Sequence, residues 1–276
     1  MTHPQRIQTA GLTVNIRVEG TGPALLFLGG SNFDLSIKAP VFETRLVDHF
    51  TVAAPDPRGL GQTDAPSGDW TMADYADNAI SAMDALGWDR AHVLGESFGA
   101  MTALHLAKRA PQRITRLALV AGTSGGLGGS SYRIEKLRDM ANPVERATTA
   151  LGIMDTRFAA ALRTAPAAQT DKIDARIAFE KRFLESHDNA TGYPRLLAAR
   201  AMHDCWDALP NMHIPCHVFA GEFDGQAPKQ YAQAMAQAMP DAEFHLIPAG
   251  HNLCFASTEV TDTLIATWSA SAPRKG

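Results

Sequence analysis

Short apolar runs and longer amphipathic segments alternate along the first 120 residues of the chain. The apolar runs have the length of buried strands, and the longer segments repeat apolar positions at helical spacing. The predicted strands span residues 13–18, 24–28, 50–54, 92–94 and 114–120. The predicted helices span residues 39–49, 71–87 and 98–109. This alternation predicts an α/β protein with a mostly parallel central sheet and helices on both faces.

The alternation stops at a glycine-rich stretch, Gly122 to Gly129, which we interpret as a flexible linker. The chain from about residue 130 to residue 207 is helix-rich and shows no strand pattern. The later predicted elements are strands over 213–220 and 243–247 and helices over 226–239 and 257–268. We therefore predict a core of residues 1–123 and 208–276, into which residues 124–207 are inserted as a helical cap, or lid.

The composition is that of an ordinary globular chain, with 45% hydrophobic residues and a formal net charge of −4. No basic cluster or tail stands out, which argues against a nucleic-acid partner or an anionic membrane surface. The N-terminus lacks the apolar core of a signal peptide, and the longest apolar runs are too short to span a bilayer. The chain has an odd number of cysteines without metal-ligand spacing, which are Cys205, Cys216 and Cys254. This pattern fits a reducing compartment. We predict a soluble cytoplasmic protein without a bound metal.

A candidate nucleophile lies between a predicted strand and a predicted helix. The sequence there is Gly95-Glu96-Ser97-Phe98-Gly99, the G-x-S-x-G pattern in its strand–turn–helix context. The glycines permit a tight backbone reversal, because a Cβ on either side of the serine would collide with its neighbours. We therefore expect Ser97 to adopt a strained backbone conformation, with its Oγ exposed at the N-terminus of the helix.

A serine nucleophile needs a histidine as its base and a carboxylate that orients this histidine. Of the ten histidines, His251 follows the last predicted strand, and loops at the carboxyl ends of parallel strands carry the chemistry of open sheets. The acid is expected in the turn after the preceding strand, where Asp224 is the first candidate and Glu222 the second.

An oxyanion hole needs two backbone N–H donors. Phe98, directly after the nucleophile, is expected to supply one of them. The loop after strand 24–28 is expected to supply the other, from Ser31 or from its neighbour Gly30.

Five segments of the chain together resemble the α/β-hydrolase superfamily over essentially the whole length. They are Leu28 to Ser31, Asp56 to Asp64, Gly95 to Gly99, Gly221 to Asp224, and Gly250-His251. The order serine, aspartate, histidine is also that of the superfamily. The resemblance implies that the segment from Asp56 to Asp64 is a structural turn beside the active site. Gly29 is a departure, since many relatives have histidine there, but a backbone donor does not depend on that side chain.

Five further residues are candidates for the substrate pocket, each with a simpler structural alternative. They are Asn32, Glu96, Trp206, Phe223 and Cys254. The alternatives are a polar loop surface for Asn32, a hydrogen-bonded strand end for Glu96, packing in the core for the two aromatic residues, and a small inert hydrophobe for Cys254.

The predicted function is hydrolysis of a small or medium carboxylic ester, thioester or lactone through an acyl-enzyme, with water as the second substrate. This chemistry requires no cofactor. The resemblance leaves open a carbon–carbon bond hydrolase or enol-lactonase of ring-cleavage products, an acyltransferase, a perhydrolase, a hydroxynitrile lyase and, more remotely, a hydrolase-like ligand receptor. An epoxide hydrolase or haloalkane dehalogenase is set aside, because it would need an aspartate in place of Ser97. The oligomeric state is not predicted.

Overall fold

The computed structural model describes residues 3–269, which contain one eight-stranded sheet. Its strands are β1 Gln5–Gln8, β2 Thr13–Glu19, β3 Ala24–Leu28, β4 Thr51–Pro55, β5 Ala91–Glu96, β6 Ile114–Val120, β7 Cys216–Gly221 and β8 Ala242–Ile247. Their order across the sheet is β1-β2-β4-β3-β5-β6-β7-β8. The pairs β1–β2 and β2–β4 are antiparallel, and the other pairs are parallel. The predicted mostly parallel sheet is confirmed.

The described part of the chain contains ten α-helices. They are α1 Leu46–His49, α2 Met72–Ala85, α3 Phe98–Arg109, α4 Pro143–Met154, α5 Phe158–Thr164, α6 Pro166–Glu185, α7 Asn189–Ala201, α8 Lys229–Ala238, α9 Leu253–Ala256 and α10 Glu259–Trp268. Short 3-10 turns occupy Pro40–Glu43, Pro111–Arg113, Gly126–Gly128, Ile134–Asp139 and Trp206–Asn211. None of the helices within residues 3–269 is both long and apolar enough to cross a membrane.

Both faces of the sheet are buried, because helices pack against each of them. Alternate residues of a central strand point to opposite faces, so each set contributes to a different core cluster. In β3, Leu26 and Leu28 belong to a core cluster shared with α2, α3 and α8. Leu25 and Phe27 belong to a second cluster on the other face, shared with α1, α9 and α10. Because both sides of β3 are apolar, its sequence is a continuous hydrophobic run.

The local structure differs from the sequence analysis in three places. The single helix predicted over 39–49 is a 3-10 turn and a short α-helix, separated at Thr44, whose backbone is extended. Strand β1 was not predicted, since its four residues are mostly polar and exposed at the edge of the sheet. The stretch from Gly122 to Gly129 is not an open linker, because Thr123 and Ser124 are completely buried.

The chain between β6 and β7 contains no strand and holds α4 to α7. We call residues 124–207 of this stretch the helical insertion. Asn189 fastens it to the core: its side-chain amide donates to Asp34 at 2.9 Å and accepts the backbone N–H of Gly61 at 2.7 Å. Asn189 is completely buried, so these bonds are shielded from water. The division into a core and a cap domain stays a prediction.

The N-terminus of α3 lies directly against β3 and β5, and two glycines make this approach possible. A Cβ at Gly99 would lie 1.8 Å from the carbonyl oxygen of Leu28, and one at Gly95 would lie 2.5 Å from the carbonyl oxygen of Gly99. Both obstacles are backbone atoms, which cannot rotate away. The tight turn around Ser97 therefore depends on the absence of side chains at both positions.

Replacing Gly99 by alanine is expected to lower the free energy of unfolding by at least about 3 kcal/mol, because the new methyl group forces α3 away from β3. Gly152→Ala in α4 is the matched control, since no atom lies within 4 Å of its added Cβ. That variant should gain about 0.5–1 kcal/mol from alanine's higher helix propensity. Urea unfolding measures both effects, and equal stability of the two variants would contradict the described approach.

Candidate active site

Ser97 forms the turn between β5 and α3. Its backbone has φ 55° and ψ −112°, a conformation that costs free energy for a residue with a side chain. Its N–H donates to the carbonyl oxygen of Val120 at the end of β6, at 2.8 Å. The structure thus has the strand, tight turn and helix expected around Ser97.

Three of the predicted residues lie in one hydrogen-bonded row. Ser97 Oγ is 2.9 Å from His251 Nε2, and His251 Nδ1 is 2.8 Å from Asp224 Oδ2. The other carboxylate oxygen of Asp224 accepts the backbone N–H groups of Gln226 and Ala227, each at 2.8 Å. These bonds fix the carboxylate, which in turn accepts the Nδ1 proton and leaves the Nε2 lone pair facing the serine.

The C-terminal end of α4 holds the turns that carry the acid and the base. The carbonyl oxygen of Ile153 accepts the N–H of Gly225 at 2.9 Å, and that of Met154 accepts the N–H of His251 at 2.7 Å. The last carbonyl groups of a helix have no partner inside it, so they are free to accept these bonds. The helical insertion therefore helps to position two residues of the row.

Gln226 is a site residue that the sequence analysis did not identify. Its side-chain nitrogen is 2.7 Å from His251 Nε2, the atom that also faces Ser97. The amide and the serine hydroxyl thus both donate toward one lone pair. Its position two residues after Asp224 was the available signal, but many loop residues share such a position.

The two sides of the expected oxyanion hole lie beside Ser97. Phe98 is the first residue of α3, so its N–H has no acceptor within the helix. Gly30 is close to the serine, since a Cβ on it would be 3.8 Å from Ser97 Cβ. Ser31 lines the same cavity as Ser97, and so does Tyr193 of the helical insertion. The role of these residues as oxyanion donors stays a prediction.

A cavity of about 600 Å³ opens at Ser97 and His251. The core contributes the loop after β3, including Asn32, and Glu96 from the end of β5. The helical insertion contributes mainly apolar side chains, which are Ile134, Leu137, Leu151, Met154, Phe179 and Tyr193. The cavity thus has a polar floor around the serine and a largely apolar roof.

Three of the predicted pocket residues do not line this cavity. Trp206 starts the turn that leads to the N-terminal end of β7, whereas the site lies at the C-terminal strand ends. Cys254 belongs to α9 and is buried in the core cluster that α9 and α10 share with the sheet. Phe223 faces away and packs against the guanidinium of Arg157, 4.0 Å from its ring centre.

Positively charged side chains stand at the cavity, and two acidic residues, Asp34 and Glu96, also line it. Asp34 is engaged in hydrogen bonds with Ser36, Ser186 and Asn189. The exposed residues Lys38 and Lys172 line the cavity, and the half-buried Arg176 lines it as well. Arg176 is already paired with Glu180 at 2.7 Å. The two lysines are therefore the cations best placed to attract a negatively charged substrate.

Burial raises the pKa of Glu96 to about 7, and the nearby charges of His251 and Lys38 only partly oppose this. The carboxyl group beside the nucleophile thus changes its charge near neutral pH. The sequence left open whether Glu96 borders the site or only ends a strand, and the structure shows that it does both.

A model of the alpha/beta hydrolase fold matches residues 23–258 of the chain. The structure of an enol-lactonase from Burkholderia xenovorans LB400 superimposes with a TM-score of 0.74 at 25% sequence identity, over 95% of this chain and 98% of that one.

Curated relatives share sequence with parts of the chain or with nearly all of it. The 2-hydroxymuconate semialdehyde hydrolase of Pseudomonas putida is 28% identical over 262 residues, which are 90% of this chain and 87% of that protein. The 2-(acetamidomethylene)succinate hydrolase of Mesorhizobium japonicum is 30% identical over 116 residues, 42% of this chain and 41% of that protein. In four curated relatives that are 30% to 36% identical, the matched part covers only 32% to 41% of the relative's length.

Glu96→Gln is expected to change how the stability of the protein depends on pH. The pKa of Glu96 is higher in the folded than in the unfolded protein, so the unfolded protein loses this proton at lower pH. The contribution of Glu96 to the free energy of unfolding therefore falls as pH rises from about 4.5 to about 7, and it is constant above that. Glutamine has no proton to lose in this range. The free energy of unfolding of the variant, relative to that of the wild type, should therefore increase by about 3 kcal/mol between pH 4 and pH 8. Urea unfolding at both pH values measures the difference, and an unchanged difference would contradict the raised pKa.

Proposed function

Because the chain belongs to the alpha/beta hydrolase fold family, we propose that it is a serine hydrolase of small or medium carboxylic esters, thioesters or lactones. The observation that carries this proposal is the row Ser97, His251 and Asp224, with bonds of 2.9 and 2.8 Å. The cavity of about 600 Å³ above it accommodates a small or medium acyl group.

In the first half of the reaction, His251 Nε2 takes the hydroxyl proton of Ser97 as its Oγ attacks the substrate carbonyl. Asp224 keeps the imidazole in the required tautomer and stabilises its positive charge. The N–H groups of Phe98 and of Ser31, or of Gly30 beside it, hold the developing oxyanion. Each such donor contributes about 3 kcal/mol to transition-state stabilisation.

The tetrahedral intermediate collapses as His251 Nε2 gives its proton to the leaving alcohol or thiol, which leaves the acyl group on Ser97 Oγ and the imidazole neutral. In the second half, His251 takes a proton from the water molecule that attacks the acyl-enzyme, and returns it to Ser97 Oγ as the acid is released. Gln226 is placed to hold the neutral imidazole before each proton transfer, because its amide donates to the same nitrogen as the serine. The insertion, residues 124–207, acts as the cap that encloses the acyl group, and its apolar side chains exclude water from it.

A second candidate is hydrolysis of a carbon–carbon bond or an enol-lactone in a ring-cleavage product. The supporting observation is the Pseudomonas putida relative, which matches 90% of this chain and is named for a semialdehyde substrate of this kind. Lys38 and Lys172 at the cavity also suit a substrate with a carboxylate. The partners are in either case a small molecule and water. A cytoplasmic location stays a prediction.

The choice between Asp224 and Glu222 is tested by a matched pair of amides. Asp224→Asn should lower kcat by roughly 10⁴-fold, because the amide no longer selects the reactive tautomer of His251. Glu222→Gln should leave kcat unchanged, because this side chain is exposed to solvent. Steady-state hydrolysis of a p-nitrophenyl ester measures both, and the reverse pattern would assign the acid to Glu222.

Ser97→Ala should lower hydrolysis by roughly 10⁴-fold or more for the true substrate class. A panel of neutral esters, carboxylate-bearing esters, lactones and ring-cleavage diketones identifies that class in the wild type. We expect the wild type to prefer substrates that carry a carboxylate over neutral substrates of equal size. Lys172→Met should raise KM for the carboxylate-bearing substrates only. Full activity of Ser97→Ala toward the best substrate would contradict the proposed nucleophile.

A further inference from the structure

Three side chains with metal-binding atoms converge at the N-terminal ends of β7 and β8, the ends opposite to Asp224 and His251. His217 of β7 is directly paired with Glu243 of β8, and His245 is two residues further along β8. Because alternate residues of a strand share a face, all three side chains lie on the same side of the sheet.

The potential ligand atoms lie at the separations that one ion requires. His217 Nδ1 is 3.0 Å from His245 Nε2. The Glu243 carboxylate is 3.5 Å from the first of these nitrogens and 3.8 Å from the second. Ligands bound tetrahedrally at zinc–nitrogen distances lie roughly 3.3 Å apart. The two distances from the Glu243 carboxylate to the nitrogens are thus at or beyond the limit for a hydrogen bond, and they are close to the separation of two ligands of one ion.

A neighbouring threonine fixes the tautomer of His217. The hydroxyl of Thr267 donates to the carbonyl oxygen of Thr263 at 2.7 Å. Its oxygen, 3.1 Å from His217 Nε2, therefore accepts the proton of that nitrogen. Nδ1 is left with a lone pair directed at His245 and Glu243. Metal-binding histidines commonly donate their other N–H in this way.

The local charges permit a cation. Burial is the main cause that lowers the pKa of His217, with His245 and Arg116 adding to the shift and Glu243 opposing it. The side chain of Glu243 is 67% exposed, so an ion can reach it from solvent and meets one negative charge there. Arg116 opposes a cation, but its effect on His217 is smaller than that of Glu243.

We propose that His217, Glu243 and His245 bind one divalent transition-metal ion of the zinc type, with water completing its coordination. Two imidazoles and one carboxylate suit this class of ion better than Mg²⁺ or Ca²⁺, which favour oxygen ligands. Binding requires the tautomer of His245 that carries its proton on Nδ1. The ion would join the edge strand β8 to β7 and so stabilise that side of the sheet, independently of the proposed hydrolase activity.

A second group, His105, His203 and Cys205, also brings its ligand atoms within 4.8 Å of one another. It is the weaker candidate, because burial raises the pKa of the Cys205 thiol to about 12 and His203 is itself buried. An ion would have to displace the thiol proton in an enclosed space. This group is instead a useful internal comparison.

Calorimetric titration of the metal-free protein with ZnCl₂ at pH 7.5 tests the site. We expect one Zn²⁺ per chain, with affinity lowered at least tenfold in His245→Gln and in Glu243→Gln. Thr267→Val should lower it about tenfold, because it removes only the partner that fixes the tautomer. His213→Gln is the matched control, because His213 is an exposed histidine 3.9 Å from the carboxylate of Asp241. Its loss should change nothing.

Thermal unfolding supplies a second measurement. Zinc should raise the Tm of the wild type and of His213→Gln, but not of His245→Gln, while all variants should melt alike in EDTA. Absence of stoichiometric binding would overturn the proposal. So would binding that survives in His245→Gln and is lost in His105→Gln, which would assign the ion to the other group.

Discussion

The close contact between the start of α3 and the strands β3 and β5 is the constraint on which the site depends. Only glycine fits at 95 and 99, because a Cβ at either position would overlap backbone atoms. This contact forces the chain to reverse within one residue, and Ser97 takes the strained conformation. The same reversal leaves the N–H of Phe98 unpaired within the helix and brings Gly30 next to the serine. The conformation of the proposed nucleophile and the positions of its proposed oxyanion donors are therefore consequences of one packing contact.

Asp224 and His251 come from a different part of the sheet than Ser97, and the helical insertion connects the two parts. Strands β7 and β8 deliver Asp224 and His251 in the turns that follow them, and these turns bind to the end of α4. The insertion is in turn fastened to the core through Asn189. A change in its helices would thus alter both the cavity and the position of the imidazole. The shape of the cavity and the geometry of the row Ser97, His251 and Asp224 are therefore coupled through this segment.

Sequence patterns predicted the elements that are determined by local chemistry. The bounds of β3 and α3 follow from a continuous apolar run and from a helix that begins at the serine turn. Patterns failed where tertiary contacts decide the structure. Strand β1 is held by pairing with β2 rather than by its own apolar residues. Gln226 reaches His251 only because the turn at Asp224 folds back, and Trp206 lies away from the cavity because its turn leads to the opposite end of β7. A sequence without coordinates does not specify these directions.

At both ends of β7 and β8, a hydrogen-bond acceptor fixes the tautomer of a histidine, and the two histidines face different groups. At the C-terminal ends, Asp224 accepts the Nδ1 proton of His251, so the free lone pair on Nε2 faces a serine. At the N-terminal ends, Thr267 accepts the Nε2 proton of His217, so the free lone pair on Nδ1 faces a second histidine. A fixed tautomer makes each imidazole a directed base or ligand. What it then does depends on the atom opposite: a hydroxyl proton at one end supports the proposed nucleophilic chemistry, and a second imidazole with a carboxylate at the other supports the proposed metal site.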